Sequence, residues 1–232
     1  MGGLEGRMFA PLGLAYMTSL LASLEFMRNY EEGLSSVRYP RDNVSQRLAE
    51  QNCPAFELGK GRYLGGSGVP APTASTLASF VPECDAAIVA FGTTAIDSLV
   101  AADQLAKEGY RVAVYDARFA KPIDRDMVRA LLEAKLPVVT VEDHGIVGGF
   151  GACFLEAAAD LRLDSSRITR LALPDSWIMQ DSRAKQLAEA GLDAVGIARA
   201  VRLAVEANGA TRGGASNGAP VRVKAPVAAT II

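Results

Sequence analysis

The chain is predicted to be an α/β domain, a mostly parallel sheet covered by helices on both faces. Two observations carry that prediction. A continuously apolar run at 86–91 and mainly apolar runs at 111–115 and 138–141 alternate with amphipathic stretches of helical spacing, the pattern of strands buried on both sides. The run from Val141 to Gly151 ends an apolar strand in Glu142 and Asp143, passes through glycines and opens a helix near Gly149. Glycines at such a corner permit positive φ and let a helix lie close to a sheet.

Taken in order, residues 1–13 are Gly-rich and weakly patterned. Leu20, Leu21, Leu24, Met27 and Tyr30 recur at three- and four-residue spacing, which predicts a helix over 15–30. Ser35 to Tyr39 reads as a short strand stopped by Pro40. The stretch 56–64 reads as a short hairpin with a glycine bend, and Gly65 to Pro82 as a loop or flexible insertion. Beyond Cys84 the alternation becomes regular. It gives a strand over 86–91, a helix over 95–108 capped by Thr93 or Thr94, and a strand over 111–115. Next come a helix over 124–135 with Asp124 at its N-cap, a strand over 138–141, a helix over 149–161 and a strand over 168–173. Helices over 184–190 and 194–207 close the domain, and 209–232 is expected to be a disordered tail.

With 232 residues, half of them hydrophobic, the chain is long enough for one good core and part of a second domain. A net charge of −2 argues against a nucleic-acid or polybasic membrane surface. No apolar run spans a bilayer and no signal peptide is read, so a cytoplasmic location is expected. Cys53, Cys84 and Cys153 are odd in number and widely spaced, which predicts reduced thiols rather than a disulfide or metal framework.

Candidate chemistry is sparse. Gly148-Gly149-Phe150-Gly151 invites a phosphate-loop reading, but neither phosphate-loop consensus is present, and tight helix-to-sheet packing is preferred. Glu142 and Asp143 stand where open α/β sheets place sites, yet compensation of a helix N-terminus is the favoured reading. His144, the single histidine, reads as exposed or interfacial rather than as a general base. Asp116, Arg118, Lys121 and Asp124 are expected to form a local ion-pair network. For Arg38 and Arg41, flanking Tyr39-Pro40, the residues alone leave two readings open: a bidentate grip on phosphate, or a surface salt bridge with Asp42 or Glu57.

In order and spacing over residues 20–208, several runs together resemble the C-terminal part of the 1-deoxy-D-xylulose-5-phosphate synthase family, of the transketolase superfamily. The matching runs are Ser36–Arg41, Leu58–Arg62, Phe91–Thr93, the specific Asp116–Asp124, Thr140–Asp143 with Gly148–Gly151, Leu173–Asp175 and Ala190–Asp193. The resemblance implies a thiamine-diphosphate- and Mg2+-dependent enzyme in its full length, which condenses pyruvate with glyceraldehyde 3-phosphate and releases CO2. It implies a role in isoprenoid, thiamine and pyridoxal synthesis, and a homodimer. It further implies a remnant of the pyrimidine-binding domain at 1–43, a linker with an insertion at 44–82, and a transketolase C-terminal domain at 83–208. Arg41 matches an arginine that binds the substrate's phosphate.

Other family features have no match. The Gly-Asp-Gly type of cofactor motif, the activating glutamate and the catalytic histidines are absent, residues 1–19 diverge, and Gln180-Asp181 stands where His-Gly is common. The chain is therefore expected to be a fragment, without catalytic, cofactor or metal residues of its own, and inactive alone. The rival reading is a non-catalytic subunit of a split enzyme of the superfamily. Transketolase proper and 2-oxoacid dehydrogenase β subunits fit the arginine-bearing runs less well.

Overall fold

The computed structural model describes residues 7–9, 17–37, 53–73 and 76–209. Its centre is a five-stranded sheet of β3 (Arg62–Gly65), β5 (Val112–Asp116), β4 (Ala86–Phe91), β7 (Val138–Gly145) and β8 (Ile168–Leu173), in that spatial order. Four strands are parallel, and β3 alone runs antiparallel, against β5. The helices are α2 (Thr94–Lys107), α3 (Arg125–Glu133), α4 (Phe150–Asp160), α5 (Arg183–Glu189) and α6 (Ala194–Ala207).

Side-chain alternation explains the layering. Ala86, Ile88 and Ala90 of β4, with Val112 and Val114 of β5, join α2 and α6 in one core cluster. Ala87, Val89 and Phe91, with Ala113 and Tyr115, join α3 and α4 in the other. Every residue of β4 and β5 is buried, so the continuous apolar runs are a direct consequence of two covered faces.

An N-terminal unit sits beside this domain. Helix α1 (Met17–Asn29) and β2 (Ser35–Val37) lie where the spacing predicts them; residues 38 and 39 of the expected strand lie outside the described residues. The sequence gives no sign of β1 (Arg7–Phe9), which pairs in parallel with β2 and antiparallel with β6 (Phe119–Lys121). Three residues are too few to show a period, and only the neighbours make them a strand. Phe26 of α1 meets Phe119 edge-on at 5.5 Å and Phe56 at 6.4 Å. The expected tail falls on 210–232, outside the described residues.

Three local expectations need correction. The 56–64 stretch bends at Gly59, φ +67, but does not form its own hairpin: β3 leaves the bend to pair with β5. All of Arg62–Gly65 is buried, so the long-range sheet outcompetes a local partner. The glycine- and proline-rich loop is laid against the sheet rather than left free. Tyr63 Oη donates to Pro70 O at 2.7 Å and Tyr115 Oη to Phe80 O at 2.8 Å. A Cβ at Gly66 would overlap the Val112 carbonyl. Finally, Thr93 occupies the N-cap of α2 without a side-chain cap bond, while Thr94 Oγ1 donates to the Phe91 and Val141 carbonyls at 3.1 and 3.0 Å, tying β4 to β7. Asp124 caps α3 as expected, accepting from Asp126 N and Met127 N.

Helix α4 approaches the sheet through Gly151, where a Cβ would lie 2.8 Å from Thr140 Oγ1 and 3.0 Å from Arg170 Cδ. Replacing Gly151 by Ala is expected to destabilise the domain by about 1–3 kcal/mol, because buried Thr140 cannot retreat. A lowered urea midpoint at unchanged slope is the expected result.

Candidate functional site

Strand β4 leads into α2 on one face and β7 leads into α4 on the other, which opens a crevice at their carboxyl ends. The polar groups there are committed to structure. Glu142, 2% exposed, accepts from Phe150 N at 2.5 Å and Gly151 N at 2.7 Å, and so closes the N-terminus of α4. Gly149 leaves no room for a Cβ against that carboxylate. The preferred reading of this run, tight packing with charge compensation, therefore holds in atomic detail. Asp143 accepts from Arg183 Nη2 at 3.1 Å, and the same nitrogen reaches Thr93 Oγ1 at 3.0 Å. Burial pushes the nearby Asp97 carboxyl up, with Arg183 opposing and Asp193 adding to the rise. His144 is half-buried at the end of β7, not exposed.

The second cluster forms where β5 turns into β6. Arg118 takes a left-handed φ of +56 there, and its N–H donates to Asp116 Oδ1 at 3.1 Å. The guanidinium is 3% exposed, with Nε 3.8 Å from Asp116 Oδ2. It donates to Pro54 O at 3.2 Å, Ala55 O at 3.3 Å and Cys53 Sγ at 3.5 Å, and lies 4.4 Å above the Phe56 ring. Burial pushes the Asp116 carboxyl up to about 6, opposed by Arg118, its N–H bond and Arg62. Burial also pushes Arg118 down, opposed first by Asp116.

The expected four-residue network thus resolves into one buried pair. Asp124 is taken by the α3 N-terminus and by Gly61 N at 2.8 Å, and Lys121 is exposed on β6. Lys60 instead bridges to Asp126 at 2.6 Å. A cleft of about 400 Å³ opens beside the pair, and Lys60, Arg62, Arg118, Glu57, Asp124 and Asp126 place equal numbers of positive and negative groups on its wall.

Arg38, Arg41 and Asp42 lie outside the described residues, so the phosphate-grip and salt-bridge readings are both carried forward unchanged. Sequence reasoning missed Arg183, whose partner Asp143 is 40 positions away and leaves no local signal. It also missed that Arg118 clamps residues 53–56. Cys53, Cys84 and Cys153 are free, and burial pushes the Cys84 thiol up to about 11. Among the described residues no group of three or more His, Cys, Asp or Glu is placed to hold a metal ion, and no helix is long and apolar enough to cross a membrane.

The transketolase C-terminal domain model matches residues 78–197, more than half of the chain. The chain belongs to the transketolase C-terminal domain family. Among curated relatives of this member, a 1-deoxy-D-xylulose-5-phosphate synthase of an Anaeromyxobacter species is 38% identical over 189 residues, 80% of this chain and 27% of the relative. The Bacillus velezensis enzyme of the same name is 35% identical over 175 residues, 75% of this chain and 25% of the relative. The chain thus spans about a quarter of the length of the curated relatives it matches. Among solved structures, a split-gene transketolase described as an inactive beta4 tetramer is similar at TM-score 0.66 and 25% identity, covering 87% of this chain and 57% of that one. Transketolase from Leishmania mexicana shares the fold at TM-score 0.57 and 13% identity, covering 88% of this chain and 26% of that one.

The two neighbouring acids of the Glu142-Asp143 pair are expected to separate sharply in stability. Glu142→Ala strands two buried N–H groups and is expected to cost about 3 kcal/mol. Asp143→Ala removes a partly exposed ion pair and is expected to cost about 1 kcal/mol or less. Chemical denaturation of the two variants side by side measures the difference.

Proposed function

We propose that this chain is the C-terminal portion of a 1-deoxy-D-xylulose-5-phosphate synthase, the enzyme that condenses pyruvate with glyceraldehyde 3-phosphate and releases CO2. The observation that carries the reading is identity of 32–38% to enzymes of that name, maintained over about three quarters of the chain. The Asp116–Asp124 run supports it, since this family-specific stretch builds the corner that joins the two parts of the fold. The proposed division keeps 1–43 with the pyrimidine-binding domain, 44–82 as linker and 83–208 as the C-terminal domain.

The full-length reaction calls on thiamine diphosphate and Mg2+. The described residues do not fit that group. Glu142 is bound to the α4 N-terminus, Asp143 to Arg183, Asp124 to the α3 N-terminus and Asp116 to Arg118. None of these four carboxylates remains for a magnesium ion or an aminopyrimidine. Calorimetry with thiamine diphosphate and magnesium on the purified chain is expected to show no binding heat; saturable binding would overturn this part of the reading.

Arg41 is proposed to contact the substrate phosphate once the whole enzyme is assembled. Its support is the Arg-Tyr-Pro-Arg run that follows directly on β2. Changing the matching arginine to Ala in a full-length synthase is expected to raise KM for glyceraldehyde 3-phosphate about tenfold or more, as loss of a bidentate charged contact requires. An unchanged KM would remove the role. The same reading places the chain in the cytoplasm, as part of a homodimer, with its three thiols reduced.

A second reading, a non-catalytic subunit of a split enzyme, is favoured by the split-gene transketolase neighbour. Leu21, Leu24 and Leu34 of the N-terminal unit are all exposed, which suits burial against another polypeptide. A search of the neighbouring DNA separates the two. Missing domains encoded in the same frame support the synthase fragment; a separate gene for them supports the split subunit.

A further inference from the structure

The Asp116–Arg118 pair is not explained by the five-stranded sheet alone. Asp116 Oδ2 and Arg118 Nε are both buried without a hydrogen-bond partner, 3.8 Å apart, a costly placement for two ionisable groups. What the guanidinium reaches instead is the segment entering from the N-terminal unit: the Pro54 and Ala55 carbonyls, Cys53 Sγ and the Phe56 ring. That segment is held on its other side by α1. Phe56 and Phe119 form one cluster with Ala22, Phe26, Met27, Cys53 and Leu58.

We propose that Asp116 and Arg118 form a catch that fastens segment 53–58, and through it helix α1, onto the carboxyl edge of the five-stranded sheet. Three features suit a catch better than a plain packing contact. The guanidinium's hydrogen bonds among the described residues go to one segment, so releasing Arg118 frees that segment as a unit. Arg118 sits at a left-handed φ that directs it away from the path of β5. Its counter-ion is anchored separately, at the end of β5, where Ala117 N donates to Ala90 O of β4.

The state of the catch follows proton binding at Asp116. The charged and titratable groups facing the pair are Arg62 from β3 and the Cys53 thiol from the connecting segment; on α3, Asp124 is turned toward Gly61 and its own helix. Burial is the largest influence on Asp116, and it outweighs Arg118 across a 3.8 Å gap with no side-chain hydrogen bond. The closed state therefore holds a proton up to about pH 6, well above the ordinary carboxylate range. A carboxyl raised in the closed state contributes stability that is complete below its open-state value and is lost as pH rises through about 6. The catch is tighter in mild acid and looser near neutrality. That direction is opposite to the one a simple salt bridge would give.

Hydrogen exchange on the purified chain from about pH 5 to about pH 8, corrected for intrinsic rates, tests this. Peptides covering 53–58 and α1 are expected to lose protection about tenfold across that range, while β4 and β7 stay protected. Asp116→Asn is expected to abolish the pH dependence. Arg118→Lys, which keeps the charge but loses the planar fork, is expected to lower protection of 53–58 about tenfold at every pH with the sheet unchanged. The proposal is overturned if the segment and sheet peptides lose protection together in the parent chain, if Asp116→Asn keeps the parent profile, or if Arg118→Lys leaves 53–58 as protected as before. Should Asp116→Asn fail to fold, seen as lost protection of β4, the parent profile and Arg118→Lys decide the matter.

Discussion

The corner from Asp116 to Lys121 is the constraint on which the rest of the molecule depends. In six residues the chain ends β5, reverses through a left-handed arginine and starts β6, which belongs to a different sheet. One side of the corner is bound to β4 through Ala117 N and Ala90 O; the other pairs with β1. Phe119 is wholly buried at the junction, with Phe26 and Phe56 at 5.5 and 5.9 Å. Edge-on aromatic pairs of this kind are each worth about 0.5–1.5 kcal/mol beyond their buried area. The small three-stranded sheet has no other strand from the C-terminal domain, so its attachment runs through this corner among the described residues.

What the sequence made legible follows from the range of the interactions involved. Strands β4 and β8 and helix α6 coincide with their predicted spans, and the ends of the other predicted elements of the C-terminal domain shift by one to a few residues, because the signals are local: apolar continuity for strands buried on both faces, three- and four-residue spacing for helices, and Asp124 as a cap. Strand β7 is the largest exception, running on to Gly145. Its last residues pair with β8 only after a register shift, and nothing within 142–145 announces that partner.

The misses share one cause. β1 is a strand because β2 and β6 flank it, β3 joins β5 rather than folding back on Phe56, and Thr94 serves two carbonyls of the sheet instead of capping its helix. In each case a long-range partner outbids a sound local rule. The site follows the same logic. The acidic pair at 142–143 was visible as a pair, but its division into one buried helix cap and one half of an ion pair with Arg183 depends on elements eight and forty residues away. The reading of Asp116, Arg118, Lys121 and Asp124 as one network failed because proximity in sequence says nothing about direction, and Asp124 faces α3 and Gly61 instead.

This division of labour bears on where chemistry resides. Open α/β sheets gather reactive groups at their carboxyl edge because loops there are free to vary and helix N-termini offer positive potential. Here the edge is rich in charge, yet Glu142 neutralises the α4 N-terminus, Asp124 neutralises the α3 N-terminus, and Asp193 does the same for α6 through Gly196 N. A helix N-terminus already satisfied by a carboxylate has little left to offer an anionic ligand. The three caps therefore make the sheet edge rigid and electrostatically quiet, suited to being a wall rather than a reaction centre. The half-exposed groups that remain, Arg183 over Thr93 and Lys60 beside the 400 Å³ cleft, face outward from that wall. A surface of this construction gains a function by what is placed against it, and among the described residues the corner at Asp116–Lys121 is where the neighbouring unit is joined to it.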